Sequence, residues 1–246
     1  MPEDRSVLHR RAPEPDRTWS YGTGPDAIAD IYLPGPAASP ATPVLLVHGG
    51  YWRPEYDRTH LRPMAAALAA AGHPTVLVEY PRVPGKPDAT VDAVRAALAT
   101  LSEVVDGPVV LVGHSAGGHL ALLAALDRTP MTGAVLVLSP VADLAMADRL
   151  NLDDGAVREF LGRPAVDCPD LDPAALSRPA VPVTVIHGGD DTLVPLAVSE
   201  SYCSRGTARL VVLEGVGHFE PVDPESTAWP SVMAELTALC GSSGIE

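Results

Sequence analysis

The chain has 246 residues, a composition typical of a globular protein with a sizeable core, and a strongly acidic balance. Hydrophobic residues make up 46% of it, and the formal net charge is −14. Nucleic acids and anionic membrane surfaces attract basic patches, so neither is expected as a partner. The three cysteines, Cys168, Cys203 and Cys240, are widely spaced and predict neither a disulfide framework nor a metal site.

The beginning of the chain is rich in arginine but lacks the apolar segment of a secretory signal. No run approaches the roughly 18 apolar residues that a membrane-spanning helix requires. We therefore expect a cytoplasmic protein. The sequence carries no indication of its oligomeric state.

Taken in chain order, the predicted elements begin with a polar, proline-containing arm at residues 1–16, which we expect to be loose. Two short extended segments follow, at Thr18–Tyr21 and Ala27–Leu33. Six apolar runs then alternate with helical patterns: Val44–Val47, Thr75–Val78, Val109–Val112, Ala134–Leu138, Val183–Ile186 and Leu210–Leu213. Continuous apolar strands separated by helices predict an α/β fold with a mostly parallel sheet covered on both faces.

One late segment, from about residue 141 to 180, breaks this alternation. It contains Asp153-Asp154, which we expect to cap a short helix at Val157–Leu161, and then several prolines. An insertion between two late strands would lie above the carboxyl edge of the sheet. We predict a small lid there, within a single domain spanning residues 1–246.

The most informative motif is Gly113-His114-Ser115-Ala116-Gly117, which follows the apolar run ending at Val112 and precedes a helix-forming stretch. This is the Gly-x-Ser-x-Gly nucleophile elbow, in which a serine on a sharp strand-to-helix turn presents its Oγ above the sheet. Small residues are needed because neighbouring backbone packs against the strained turn. Ser115 is therefore the candidate nucleophile.

A serine nucleophile needs a base, an acid that orients the base, and donors for the developing oxyanion. Chains with this elbow carry the acid and then the histidine after the serine. Two neighbouring candidates for the acid, Asp190 and Asp191, follow the strand Val183–Ile186. An acid at this strand end would reach across the carboxyl edge of the sheet.

The candidate base is His218, which follows the last strand within Gly217-His218-Phe219. His187 is a rival, but it precedes the acid and so has the wrong order. His114 adjoins the serine and should point away from it, and His119 lies one turn into the following helix. The remaining histidines, His9, His60 and His73, are expected to be solvated or structural.

The oxyanion donors should be the amide of Ala116 and one from an early loop. The strand Val44–Val47 ends in His48-Gly49-Gly50-Tyr51-Trp52. Glycines allow the backbone to turn its amides toward a substrate oxygen, so either Gly49 or Gly50 is the second candidate donor. His48 is expected to hold the loop by hydrogen bonding.

These loops resemble those of the kynurenine formamidase (arylformamidase) group of α/β-hydrolases, which borders the hormone-sensitive-lipase-like esterases. The resemblance rests on the His48–Trp52 loop, the elbow extended to Leu120, and the His218-Phe219 loop, and it runs from about residue 18 onward. The similar pattern His-Gly-x-x-Asp-x-x-Val-Pro selects Asp191 as the acid.

The resemblance implies an α/β-hydrolase fold and a Ser115–His218–Asp191 triad that transfers an acyl group to water without a cofactor or metal. The implied substrate is an aryl formamide such as N-formylkynurenine. A small-molecule carboxylesterase with the same triad, or a scaffold that binds a ligand without turnover, stays open. Tyr51 and Trp52 are candidates either to contact the aryl group of the substrate or to pack in the core. His119 is a further candidate substrate-binding residue.

Overall fold

The structure is a computed structural model that describes residues 3–39, 41–206 and 208–242. Within these ranges eight strands form one sheet in the order β1-β2-β4-β3-β5-β6-β7-β8. Strand β2 is antiparallel to both β1 and β4, and every other pair is parallel. The strands are β1 Arg17–Ser20, β2 Ile28–Tyr32, β3 Val44–Val47, β4 Thr75–Val78, β5 Val109–His114, β6 Thr132–Leu138, β7 Val183–Gly188 and β8 Arg209–Leu213.

Each predicted strand overlaps a strand of this sheet, and the mostly parallel α/β fold is confirmed. Seven α-helices lie in the described ranges: α1 Arg62–Ala70, α2 Pro87–Thr100, α3 Ala116–Ala124, α4 Leu144–Arg149, α5 Ala156–Leu161, α6 Leu196–Cys203 and α7 Trp229–Ser242. No helix among the described residues is both long and apolar enough to cross a membrane.

Both faces of the sheet are buried, which is why its strands read as continuous apolar runs. Along β3, Leu45 and Val47 join the core on the face covered by α2 and α3. The alternate residues, Val44 and Leu46, join the core on the opposite face, which α1 and α7 cover. Side chains of a strand point alternately to the two faces, so four consecutive apolar residues serve two cores.

The predicted lid segment, residues 141–180, lies between β6 and β7 and contains α4 and α5. It packs on the loops that follow β3 and β4: Phe160 stacks on Trp52 with ring centroids 4.5 Å apart, and the Gly85 amide donates to Glu159 O. The predicted aspartate cap of its short helix is wrong. The N-cap residue is Gly155, which has no side chain to cap the helix, and Asp153 pairs with Arg53 instead.

The expectation of a loose N-terminal arm is also wrong for the part that the structure describes; residues 1 and 2 lie outside it. The arm forms a short 3₁₀ turn at Ser6–His9, and Val7 is buried in the core of the α1 and α7 face. Arg10 pairs with Asp223 and Glu225. Composition suggested a solvated segment because the single buried apolar residue is surrounded by polar ones.

The turn from β5 into α3 depends on the absence of two side chains. A Cβ on Gly113 would collide with the backbone of Gly117, and a Cβ on Gly117 would collide with the carbonyl oxygens of Val47 and His48. All of these obstacles are main-chain atoms. They cannot move without shifting the sheet.

Gly117→Ala is therefore expected to lower the free energy of unfolding by about 3 kcal/mol or to prevent folding, since overpacking against rigid neighbours costs 1–3 kcal/mol or more. The control is Gly241→Ala in α7, where the added methyl group meets nothing within 4 Å. Denaturant unfolding of both variants measures the difference. Equal stability of the two would contradict this packing argument.

Candidate active site

A pocket of about 80 Å³ opens at the carboxyl edge of the parallel strands. Its walls combine the loops after β3, β5, β7 and β8 with the lid segment and the N-terminal arm. The lining residues are Arg5, Leu8, Gly50, Tyr51, Tyr56, His60, His114, Ser115, Asp153, Leu193, His218 and Phe219. Ser115 and His218, the candidate nucleophile and base, thus share one pocket.

Ser115 occupies a strained backbone position at the start of α3, with φ +54° and ψ −121°. Four backbone hydrogen bonds hold it there. Its amide donates to Leu138 O, and its carbonyl accepts from Gly118, His119 and Val141. The strained turn is therefore fixed by its neighbours rather than by the serine side chain, which is left free to face the pocket.

Asp191 and His218 are joined directly. Asp191 Oδ2 lies 2.7 Å from His218 Nδ1, and Asp191 Oδ1 accepts from the amides of Leu193 and Val194. Burial alone would raise the pKa of this carboxyl group, but the hydrogen bonds from His187, His218 and the Val194 amide hold it below its usual range. A carboxylate that accepts from Nδ1 leaves Nε2 as the unprotonated nitrogen of a neutral imidazole.

No hydrogen bond joins Ser115 Oγ to His218 among the described residues. Such contacts are often long in unliganded enzymes and shorten when substrate binds. The structure thus brings all three candidate side chains to the same sheet edge and hydrogen-bonds two of them.

The two rival residues lie elsewhere. Asp190 is exposed, whereas Asp191 is buried. His187 is fully buried beneath the site, with Nδ1 2.7 Å from Ser199 Oγ and Nε2 2.8 Å from Val194 O. Its Nε2 also lies 3.3 Å from Asp191 Oδ2. His187 therefore contacts Asp191, the candidate acid, but does not line the pocket.

The other histidines near the elbow are held by main-chain oxygens. His114 Nε2 donates to His218 O at 3.0 Å, which ties the elbow to the His218 loop. His119 Nε2 donates to Leu171 O at 2.8 Å, which ties α3 to the lid segment. Burial lowers the pKa of His119 to about 4. His119 does not line the pocket, in contrast to its predicted place near the substrate.

The glycine loop after β3 lies directly against Ser115. A Cβ on Gly49 would stand 2.9 Å from Ser115 Cβ. Gly50 has φ +110°, a conformation that favours glycine. Neither the Gly50 amide nor the Ala116 amide has a protein acceptor in the described part of the chain. The amides of Ala116 and of Gly50, one of the two candidates in this loop, are therefore not bonded to other described residues.

A buried ionic cluster behind this loop was not predicted from the sequence. Glu79, at the end of β4, contacts His48 Nε2 at 3.0 Å and pairs with Arg58 and Arg82. His48 in turn lies 2.8 Å (Nδ1) from Gly49 O and stacks on Tyr80. Burial by itself would raise the pKa of Glu79, yet the His48 hydrogen bond and the charge of Arg82 hold it well below its usual range.

The aromatic residues of the loop take different places. Tyr51 lines the pocket and donates from its hydroxyl to Leu193 O at 2.7 Å. Trp52 does not line the pocket; it is buried between Phe160 and His119. Trp52 thus packs under the lid segment, whereas Tyr51 is positioned to contact a ligand.

His60 is a pocket residue that the sequence did not reveal. Its Nδ1 donates to Asp57 O at 2.6 Å, which makes Nε2 the unprotonated nitrogen. Burial lowers the pKa of His60 to about 4, so the ring is neutral near pH 7. An isolated histidine before a helix carries no motif, so its place became visible only in the folded chain.

Residues 44–166 of this chain match the model of the Alpha/beta hydrolase family. The chain belongs to the alpha/beta hydrolase family. The match spans half of the chain and includes the glycine loop, the elbow and most of the lid segment. The Asp191 and His218 loops of this alpha/beta hydrolase lie beyond the matched range.

The curated relatives of this alpha/beta hydrolase include a formamidase and an esterase. A kynurenine formamidase of Danio rerio is 31% identical over 134 residues, covering 50% of this chain and 45% of the relative. Esterase LipQ of Mycobacterium tuberculosis is 30% identical over 223 residues, covering 79% of this chain and 53% of the relative. The chain thus aligns with only about half the length of each.

A solved structure extends the similarity over nearly the whole fold. A candidate thioesterase from Silicibacter sp. TM1040 is 26% identical and covers 95% of this chain and 88% of its own, with a TM-score of 0.75. Within the described residues, no group of three or more His, Cys, Asp or Glu side chains is arranged to hold a metal ion.

Glu79→Gln is expected to lower the free energy of unfolding by about 3–5 kcal/mol at pH 7, because Arg58 and Arg82 would lose a buried carboxylate. The folded-state pKa of Glu79 lies below its ordinary value of 4.5, so the wild type loses this contribution as the pH falls below that value. The variant should therefore lose less stability on acidification. Urea unfolding between pH 7 and 3.5 measures both effects, with exposed Glu55→Gln as the control.

Proposed function

We propose that Ser115, His218 and Asp191 form a catalytic triad, and that the chain hydrolyses an aryl formamide such as N-formylkynurenine. Membership of the alpha/beta hydrolase family, together with relatives named lipase and esterase, supports hydrolysis of this type. The observation that carries the triad is the 2.7 Å contact between His218 Nδ1 and Asp191 beside a pocket that Ser115 and His218 both line. The resemblance to kynurenine formamidases supports the substrate.

In the proposed reaction, His218 Nε2 takes the Ser115 proton as Oγ attacks the substrate carbonyl carbon. Asp191 stays ionised and stabilises the imidazolium that forms. The Ala116 amide and that of Gly50 or Gly49 donate to the tetrahedral oxygen, and each such donor is typically worth about 10²–10³ in rate. His218 then protonates the leaving group, and water cleaves the acyl-enzyme with His218 as the base.

The size of the pocket favours a short acyl group. A cavity of about 150 Å³ takes one benzene ring, so the 80 Å³ here is too small to enclose an aryl group. The aryl part would lie toward the mouth, against Tyr51 and Phe219. An arylamine is a poor leaving group, so formamide cleavage requires this ring to be held where His218 reaches the departing nitrogen.

A carboxylesterase that uses the same triad is the second candidate. The observation that favours it is the alignment with esterase LipQ, which covers 79% of this chain against 50% for the formamidase. A phenolate leaves more readily than an arylamine, so cleavage of a phenyl ester depends less on contacts that hold the aryl ring. The two functions therefore differ in how strongly activity depends on the leaving group.

Asp191→Asn is expected to lower kcat by about 10⁴, because an amide at this position favours the wrong tautomer of the histidine. Asp190→Asn is the matched control on the adjacent exposed residue and should change kcat by less than about threefold. Steady-state rates with 4-nitrophenyl acetate compare the two variants. A larger loss in the Asp190 variant would assign the acid to the other residue.

Specificity is tested by comparing kcat/KM for N-formylkynurenine, 4-nitrophenyl acetate and 4-nitrophenyl octanoate. A formamidase with this small pocket should cleave the formamide efficiently and the octanoate at least about 100-fold more slowly than the acetate. Ser115→Ala, which removes one oxygen atom, serves as the blank and should also abolish labelling by a fluorophosphonate.

The outcomes separate the candidates. Rapid ester cleavage beside an inert formamide would reject the formamidase and leave the carboxylesterase. Turnover or labelling that persists in the Ser115→Ala variant would reject the triad itself.

A further inference from the structure

The N-terminal arm is fastened to both loops that carry the proposed acid and base. Glu3 Oε1 accepts from the Thr192 amide at 2.7 Å and from its hydroxyl at 2.8 Å, and Glu3 Oε2 accepts from the His218 amide at 2.8 Å. With Val7 buried and Arg10 paired to Asp223, the arm has three separate anchors. Its residues are thus a fixed part of the pocket wall.

These anchors place Arg5 at the pocket mouth. Its guanidinium carbon lies 5.8 Å from the centre of the Phe219 ring, and the residue lines the pocket with Ser115 and His218. Arg5 has no carboxylate partner among the described residues, although arginines nearby, such as Arg10 and Arg53, are paired. Phe219 therefore contacts a guanidinium whose donors have no protein acceptor among the residues that the structure describes.

The carboxylates around the pocket already have hydrogen-bond or ion-pair partners. Asp153 pairs with Arg53, with Oδ2 3.2 Å from Nε. Both Glu3 oxygens accept from the Thr192 and His218 loops, and Asp191 is held by His218. The chain as a whole carries a net charge of −14. An unpaired cation at the mouth is thus a local exception in an acidic protein.

We propose that Arg5 binds a carboxylate on the leaving-group side of the substrate, so that the enzyme prefers substrates whose aryl group carries an anionic substituent. A guanidinium matches a carboxylate with two parallel N–H donors. The mouth is also where the aryl part would lie, because the inner pocket is small. The inference rests on the proposed reaction at Ser115, and it does not depend on the acyl group being formyl.

The test uses two acetates that differ only in charge: 3-(4-acetoxyphenyl)propionate and the corresponding propionamide. Wild-type kcat/KM should be about tenfold higher for the anion, and this preference should weaken as salt is added. Arg5→Gln should lower kcat/KM for the anion about tenfold and that for the amide by much less, so that the preference for the anion is lost. Exposed Arg11→Gln changes the net charge equally and should leave the preference intact.

A second readout needs no turnover. Calorimetric binding of the product 3-(4-hydroxyphenyl)propionate should weaken about tenfold in the Arg5→Gln variant. Equal loss for both acetates, loss of the preference in Arg11→Gln, or unchanged product binding in Arg5→Gln would overturn the proposal. Failure of the proposed reaction would appear differently, as absence of turnover for both acetates in wild type.

Discussion

The strained backbone of Ser115 is the constraint on which the rest of the site depends. A serine with φ +54° costs of the order of 1–3 kcal/mol and persists only when its surroundings fix it. Ser115 follows β5 directly, and hydrogen bonds to its amide and carbonyl join it to β6, α3 and the start of the lid segment. Gly113 and Gly117 permit the close approach because a Cβ at either position would strike main-chain atoms. The sheet supplies the free energy that holds the serine above its edge.

Two buried carboxylates hold the loops on either side of this turn. Glu79 supports the glycine loop through His48, and Asp191 holds His218. Each is ionised in a buried setting, which is costly unless hydrogen bonds and opposite charges compensate. Arg58 and Arg82 provide that compensation for Glu79, whereas backbone amides and imidazoles provide it for Asp191. These partners suit a fixed support at Glu79 and, in the proposed triad, a carboxylate that stays ionised beside His218.

The pocket wall also includes residues of the lid segment and of the N-terminal arm. The lid segment packs through Phe160 on Trp52, and the N-terminal arm bonds through Glu3 to the His218 loop. Trp52 therefore serves the packing of the lid while its neighbour Tyr51 faces the pocket. Since adjacent residues in this turn project in different directions, one aromatic pair fulfils both tasks.

The sequence by itself determined the fold and the elbow. Buried parallel strands appear in the sequence as apolar runs, and the turn at Ser115 requires glycines close to it. Both features therefore depend on residues that are near one another in the chain. The order of serine, acid and histidine likewise pointed to His218 over His187. The family resemblance pointed to Asp191 over Asp190, and the structure shows the buried Asp191 bonded to His218.

Only the tertiary structure decided which other residues meet at the pocket. Glu79, His60 and the arm residues Glu3 and Arg5 stand in no motif, and each reaches the site through contacts across the fold. We expected the polar arm to be loose because amino-acid composition does not reveal the few specific contacts that hold it. Contacts between residues that are distant in sequence depend on how the whole chain folds, and no local sequence pattern predicts them.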